Sequence, residues 1–161
     1  MATVHNTTYS TTNTAVTITL ANLSNAAARS SSSISNATNL FLDANLSVMV
    51  GIGVTTGTDQ AVYIYGYGSQ DGTQFNGWTS GTDAAVLTTP TNMPLLGVIS
   101  CVNPPFTSTD LSLYIGSVAQ SFGGTLPKYW GVIVDNRSGG SLVNTAANNV
   151  IEYQGITITS T

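Results

Sequence analysis

Apolar and polar residues alternate one by one along several separate stretches of this 161-residue chain, and nowhere do apolar residues recur at helical spacing over three turns. Strict alternation sends successive side chains to opposite faces, which is the pattern of a half-buried strand. Residues 14–20 set Val16, Ile18 and Leu20 on one face. Residues 110–115 do the same with Leu111, Leu113 and Ile115. In residues 61–67 the aliphatic Val62 and Ile64 share one face, and Tyr63, Tyr65 and Tyr67 share the other. Further strands are expected at 46–54, 84–88, 95–102, 129–135 and 150–159. Turn formers separate them: Asp71-Gly72, Asn76-Gly77, Gly123-Gly124 and the NRSGG run from Asn136 to Gly140. One helical turn is expected within 116–122, ended by the glycine pair. Seven or eight short strands of this kind predict an all-β fold, an antiparallel β-sandwich of jelly-roll-like form.

The first 39 residues read differently. Ala21 to Asn39 is rich in Ser, Ala and Asn, with four serines in a row from Ser30 to Ser33. That is linker composition. The strand at 14–20 then looks tethered rather than integral, and an isolated strand needs a partner. The expected organisation is an extended N-terminal arm with its linker over 1–39 and a sandwich domain over 40–161. Such an arm adds to a neighbour's sheet edge through main-chain hydrogen bonds, which makes Val16, Ile18 and Leu20 candidate partner-binding residues. An ordinary first strand of the same domain is the alternative.

Charged residues make up 6 % of the chain, against about 25 % in an average globular protein. The surface must therefore be covered by hydroxyls, amides and backbone; Ser and Thr together number 43. Depletion of charge is also a property of interface cores. The three cations, Arg29, Lys128 and Arg137, are scattered along a chain of net charge −4. They supply no basic patch for nucleic acid or for an anionic membrane surface. No run of some 18 apolar residues is present, so no membrane span is expected. The start, MATVHNTTYS, has neither the basic nor the apolar region of a secretory signal.

Catalytic and metal chemistry finds little to work with. Cys101 and His5 are the only residues of their kinds, too few for a zinc site. Asp59, Asp71 and Asp83 fall in loops, where Asp serves as a turn former; calcium would need several oxygens converging. Glu152 is the single Glu, a poor start for a carboxylate pair. No G-x-S-x-G elbow and no phosphate-binding glycine loop occurs. No enzyme activity and no cofactor are expected. Cys101 and Trp130 lie in apolar runs and read as core. Trp78, in a turn between Asn76-Gly77 and Ser80-Gly81, is a candidate for a partner or ligand platform.

Three longer pieces carry a resemblance. VYIYGYGSQDGTQF from Val62, GTDA from Gly81 and FGGTLPKYWGVIVDNRSGG from Phe122, followed by Tyr153-Gln-Gly155, are similar to a group of small tailed-phage virion proteins known as structural or head decoration proteins. LPKYWGVIVDNRSGG is the most specific piece. The resemblance covers most of Leu40 to Ile156 and leaves the first 40 residues outside. It implies a β-sandwich bound to the capsid surface, made in the host cytoplasm, with the major capsid protein as partner. It also implies a homotrimer, since decoration proteins commonly sit on three-fold axes. The expected role is that of a cement protein that stabilises the shell. The alternative is a carbohydrate-binding adhesion module of a head fibre or tail, using Trp78 and the tyrosine face.

Overall fold

The computed structural model describes residues 5–53, 60–77, 79–86, 92–101 and 111–160. Two antiparallel sheets face each other. The first contains β1 (His5–Tyr9), β11 (Val150–Ser160), β5 (Asp43–Gly51) and β9 (Leu111–Ser117) in that order, with β2 (Thr14–Ala15) also on β11. The second runs β7 (Ala84–Val86), β3 (Ala27–Ser30), β10 (Tyr129–Arg137), β6 (Ala61–Ser69) and β8 (Leu95–Ser100), with β4 (Ile34–Ser35) also on β10. The chain passes repeatedly between the layers: β9 is in the first sheet, β10 in the second and β11 in the first again. The all-β sandwich expected from the alternation is the observed architecture.

The core forms where the alternating faces meet. Ala44, Leu46, Val48 and Val50 from β5 and Ile151 and Tyr153 from β11 pack against Val62 and Ile64 from β6 and Trp130, Val132 and Val134 from β10. Trp130 is fully buried, edge-on to Tyr153 at 5.1 Å between ring centroids. Cys101 is buried in the same core. A 3-10 turn, Ala119–Phe122, closes one end, and Gly123 caps it at φ 79°. That is the left-handed position where glycine costs least.

The N-terminal segment is not an arm. Val16 and Leu20 are buried in the common core, and Ile18 packs partly against it. Val16 N–H donates to Ile151 O at 2.8 Å, and Ser32 N–H donates to Thr17 O at 2.8 Å. Asp83 accepts from Thr19 N–H at 3.2 Å and from Thr19 Oγ1 at 2.6 Å, and it pairs with Arg29. The expected linker contains β3, an interior strand between β10 and β7. Small side chains are what this position needs. Ala28 and Ser30 lie buried in the second sheet, and Ser30 Oγ donates to Thr82 O at 2.8 Å. Ser31 is buried too, its Oγ accepting from Val132 N–H at 3.1 Å. One sandwich therefore spans the expected boundary at residue 39.

Candidate interaction surface

The two outer faces of the sandwich are treated differently by the chain. On the second sheet, the segment after β6 folds back over the tyrosine face. Tyr67, Ile133 and Ala28 are buried there, with Tyr65, Phe75, Val86 and Met93 packed partly against them. Tyr67 meets Phe75 edge-on, its hydroxyl donates to Ser31 O at 2.7 Å, and burial pushes its pKa up to about 12. Tyr63 and Tyr65 stack side by side at 6.4 Å. Opposite Tyr63 in the β6–β10 register Asp135 is buried; burial raises its pKa, and Arg137 Nε donates to it at 2.9 Å. The tyrosine face is thus largely a second, smaller core.

The outer face of the first sheet has no such cover among the described residues. Alternation along β5 turns Asn45, Ser47 and Met49 outward, all half-buried. Glu152 and Gln154 of β11 lie beside them in register with Ser47 and Asn45. Ile115 faces Ser47 and Leu113 faces Met49 across the β5–β9 pair. Leu113 and Ile115 are each 58 % exposed. On β9 the apolar set points outward, and Tyr114 points inward, its hydroxyl bonded to Leu96 O and its ring filling the space above Gly97. A strand whose apolar set faces out leaves that set for something other than its own core.

At the other margin β11 outruns β5. Residues 150–156 pair with β5, while 157–160 pair only with β1. The result is a two-stranded ribbon carrying exposed Tyr9 and Ile158. At its base Thr7, Leu42, Ala119, Ile156 and Ile158 help line a groove of about 410 Å³.

Among the described residues the face carries no Lys or Arg. Its two described carboxylates are engaged within the chain: Asp43 accepts from Ser117 Oγ at 2.7 Å and Ala119 N–H at 2.8 Å, and Glu152 accepts from Asn13 Nδ2 at 3.1 Å. Arg29 and Arg137 belong to the second sheet, and Lys128 lies at the end of the sandwich over the Tyr129 ring.

Two adjoining grooves cross that end, of about 600 and 450 Å³, sharing Gln70, Phe122 and Pro127. Asp71 in the second groove is a turn former. Its Oδ1 accepts Thr73 N–H at 2.8 Å and Gln74 N–H at 2.9 Å, which holds its pKa well below the usual carboxylate range. Asp83 is likewise committed to Thr19 and Arg29. Asp59 lies outside the described residues. Among the described residues no three His, Cys, Asp or Glu side chains come together in a way that could hold a metal ion.

Of the four candidate partner-binding residues, Val16, Ile18 and Leu20 are committed to the core as described, so they do not form a partner surface. Trp78 lies outside the described residues. In comparisons with known proteins, no family model, no curated protein and no solved structure matches the chain.

Proposed function

We propose that this chain is a structural protein of a tailed-phage particle, a decoration or cement protein that binds the major capsid protein and stabilises the shell. The observation that carries the reading is the uncovered outer face of the first sheet, apolar at both margins, hydroxyl- and amide-lined at its centre and free of cations among the described residues. Such a surface is built for burial against protein. Charged residues are depleted at interface cores, and apolar groups there contribute by leaving water. A stable attachment needs about 1,600 Å² of total buried area, which a sheet face and a projecting ribbon can supply together. The resemblance to virion proteins supports the same role.

The test is heat stability of purified capsids with and without the protein, with Ser47→Arg and Ile158→Asp as surface variants. The expected result is a raised capsid melting temperature with the parent chain and loss of binding in both variants. Capsids equally stable with and without the chain would end this reading.

A second reading, carbohydrate binding, draws on the adjoining end grooves. The Gln70 and Gln74 side chains that line them are exposed, and neither makes a hydrogen bond within the described residues. Free amides beside an aromatic floor suit a polyhydroxylated ligand. A glycan array checks it, with Gln70→Ala and Gln74→Ala expected to abolish any signal; a blank array removes it.

A further inference from the structure

The free edge of β9 has a property that its exposure alone does not convey. Val118 N–H donates to Ala44 O at 3.0 Å, which fixes the phase of the β5–β9 ladder. Continuing that phase, Gly116, Tyr114 and Ser112, opposite Leu46, Val48 and Val50, turn their N–H and C=O groups toward β5. Leu111, Leu113, Ile115 and Ser117 therefore turn theirs away from it, toward an edge with no strand partner among the described residues. Leu113 and Ile115 thus present free main-chain groups along the edge and exposed aliphatic side chains on the adjoining face.

We propose that β9 pairs with β9 of a second copy of this chain, antiparallel, about a two-fold axis through Tyr114. The register is self-complementary. Rotation about Tyr114 sets Leu113 opposite Ile115 of the other copy and Leu111 opposite Ser117. These two pairs, each formed twice about the axis, are of the kind that exchanges two hydrogen bonds, which gives about eight across the junction. The two aliphatic side chains meet their counterparts on the outer face, with Met49 of each copy alongside Leu113. Duplication brings no like charges together, because LSLYIGS and the neighbouring edge strand LLGVIS contain no charged residue. Neither edge has the lysine or proline that normally guards an open strand against pairing. The aliphatics exposed on β8, Leu95 and Val98, lie along the same margin of the sandwich. A two-fold contact of this kind closes at two copies, so it gives a dimer where the virion resemblance implies a trimer. It holds whether or not the protein binds a capsid.

Sedimentation velocity of the chain over a wide concentration range tests it. The expected species is a dimer. Ile115→Lys, at an exposed position, should halve the mass while leaving the circular dichroism spectrum unchanged, with the thermal midpoint of the parent at high dilution. Facing residues of a hydrogen-bonded pair lie about 5.5 Å apart at Cα, within disulfide range. The double variant Leu113→Cys, Ile115→Cys should therefore form a linked dimer under mild oxidation, while the parent chain, with only buried Cys101, should not. A parent chain that is monomeric at every concentration, or trimeric, overturns the proposal. So does a dimer that survives Ile115→Lys and fails to cross-link.

Discussion

The Tyr67 ring lies across Gly131, its partner in the β6–β10 register, and a Cβ at position 131 would collide with the ring. The missing side chain is what lets the tyrosine lie flat enough to be covered by Phe75 and to reach Ser31. Gly131→Ala should cost about 1–3 kcal/mol, the usual range for overpacking a tight site. Chemical denaturation would show it as a lower midpoint with an unchanged slope.

Alkaline stability should depend on the same ring. Burial raises the Tyr67 pKa to about 12 from an ordinary value of 10. The folded state therefore favours the neutral phenol. This contribution is complete below pH 10 and is lost as pH rises toward 12. Tyr67→Phe removes the titrating group, so its stability should fall less steeply between pH 10 and 12 than that of the parent. Parallel slopes in a pH series of thermal melts would contradict this.

Asp83 clamps the N-terminal segment to the second sheet. Burial opposes its ionisation, but hydrogen bonds from Arg29 and Thr19 outweigh that and hold its pKa below the usual value. The stabilisation is thus present above the unfolded-state pKa and is lost as pH falls through the folded one. Asp83→Ala should cost about 1.5–3 kcal/mol, as for hydrogen bonds to a charged group. It should also speed amide exchange at Thr19, which native-state hydrogen exchange would read directly.

Truncation separates the ribbon from the sandwich. Among the described residues, removing 1–9 deletes only β1, which is exposed throughout, and the remaining chain should keep a cooperative thermal transition. Removing residues 1–35 deletes buried Val16, Leu20 and Ala28 and the interior strand β3, and the product should show none. A cooperative melt for the longer deletion would mean that these residues are dispensable to the fold.

Cys101 should be inert in the native state. It is buried, desolvation pushes its thiol pKa up to about 11, and so little thiolate forms at neutral pH. Alkylation should be slow in buffer and rise steeply through the unfolding transition. Rapid native-state labelling would place the thiol nearer the surface.

β6 was legible because its aliphatic and tyrosine residues fall on opposite faces, and β10 because its aromatic and β-branched run is buried on both. The turn at Ala119–Phe122 and its glycine stop were legible for a similarly local reason. β3 was not. Its Ala and Ser residues are small because Ala28 and Ser30 sit beneath other chain, and small residues in sequence look like a linker. β1 was hidden by a sequence, HNTTY, with no buried face at all. The candidate surface was half legible. The pattern in β9 put Leu113 and Ile115 on one face, but alternation fixes which residues share a face and not which face turns inward. Tyr114 settles that orientation through its contact with Gly97 and Leu96, a neighbour relation between strands that local pattern does not contain.

The β1–β11 ribbon has a mechanical consequence. His5 and Ser160 stand opposite each other at its tip, in antiparallel register. Tension applied through these two positions pulls the strands apart from the end, so the load falls on one rung at a time instead of being shared along the ladder. A sandwich held in this way would peel open at its ribbon under low force, while the layers behind it resist until the last rung at Ile156 has gone.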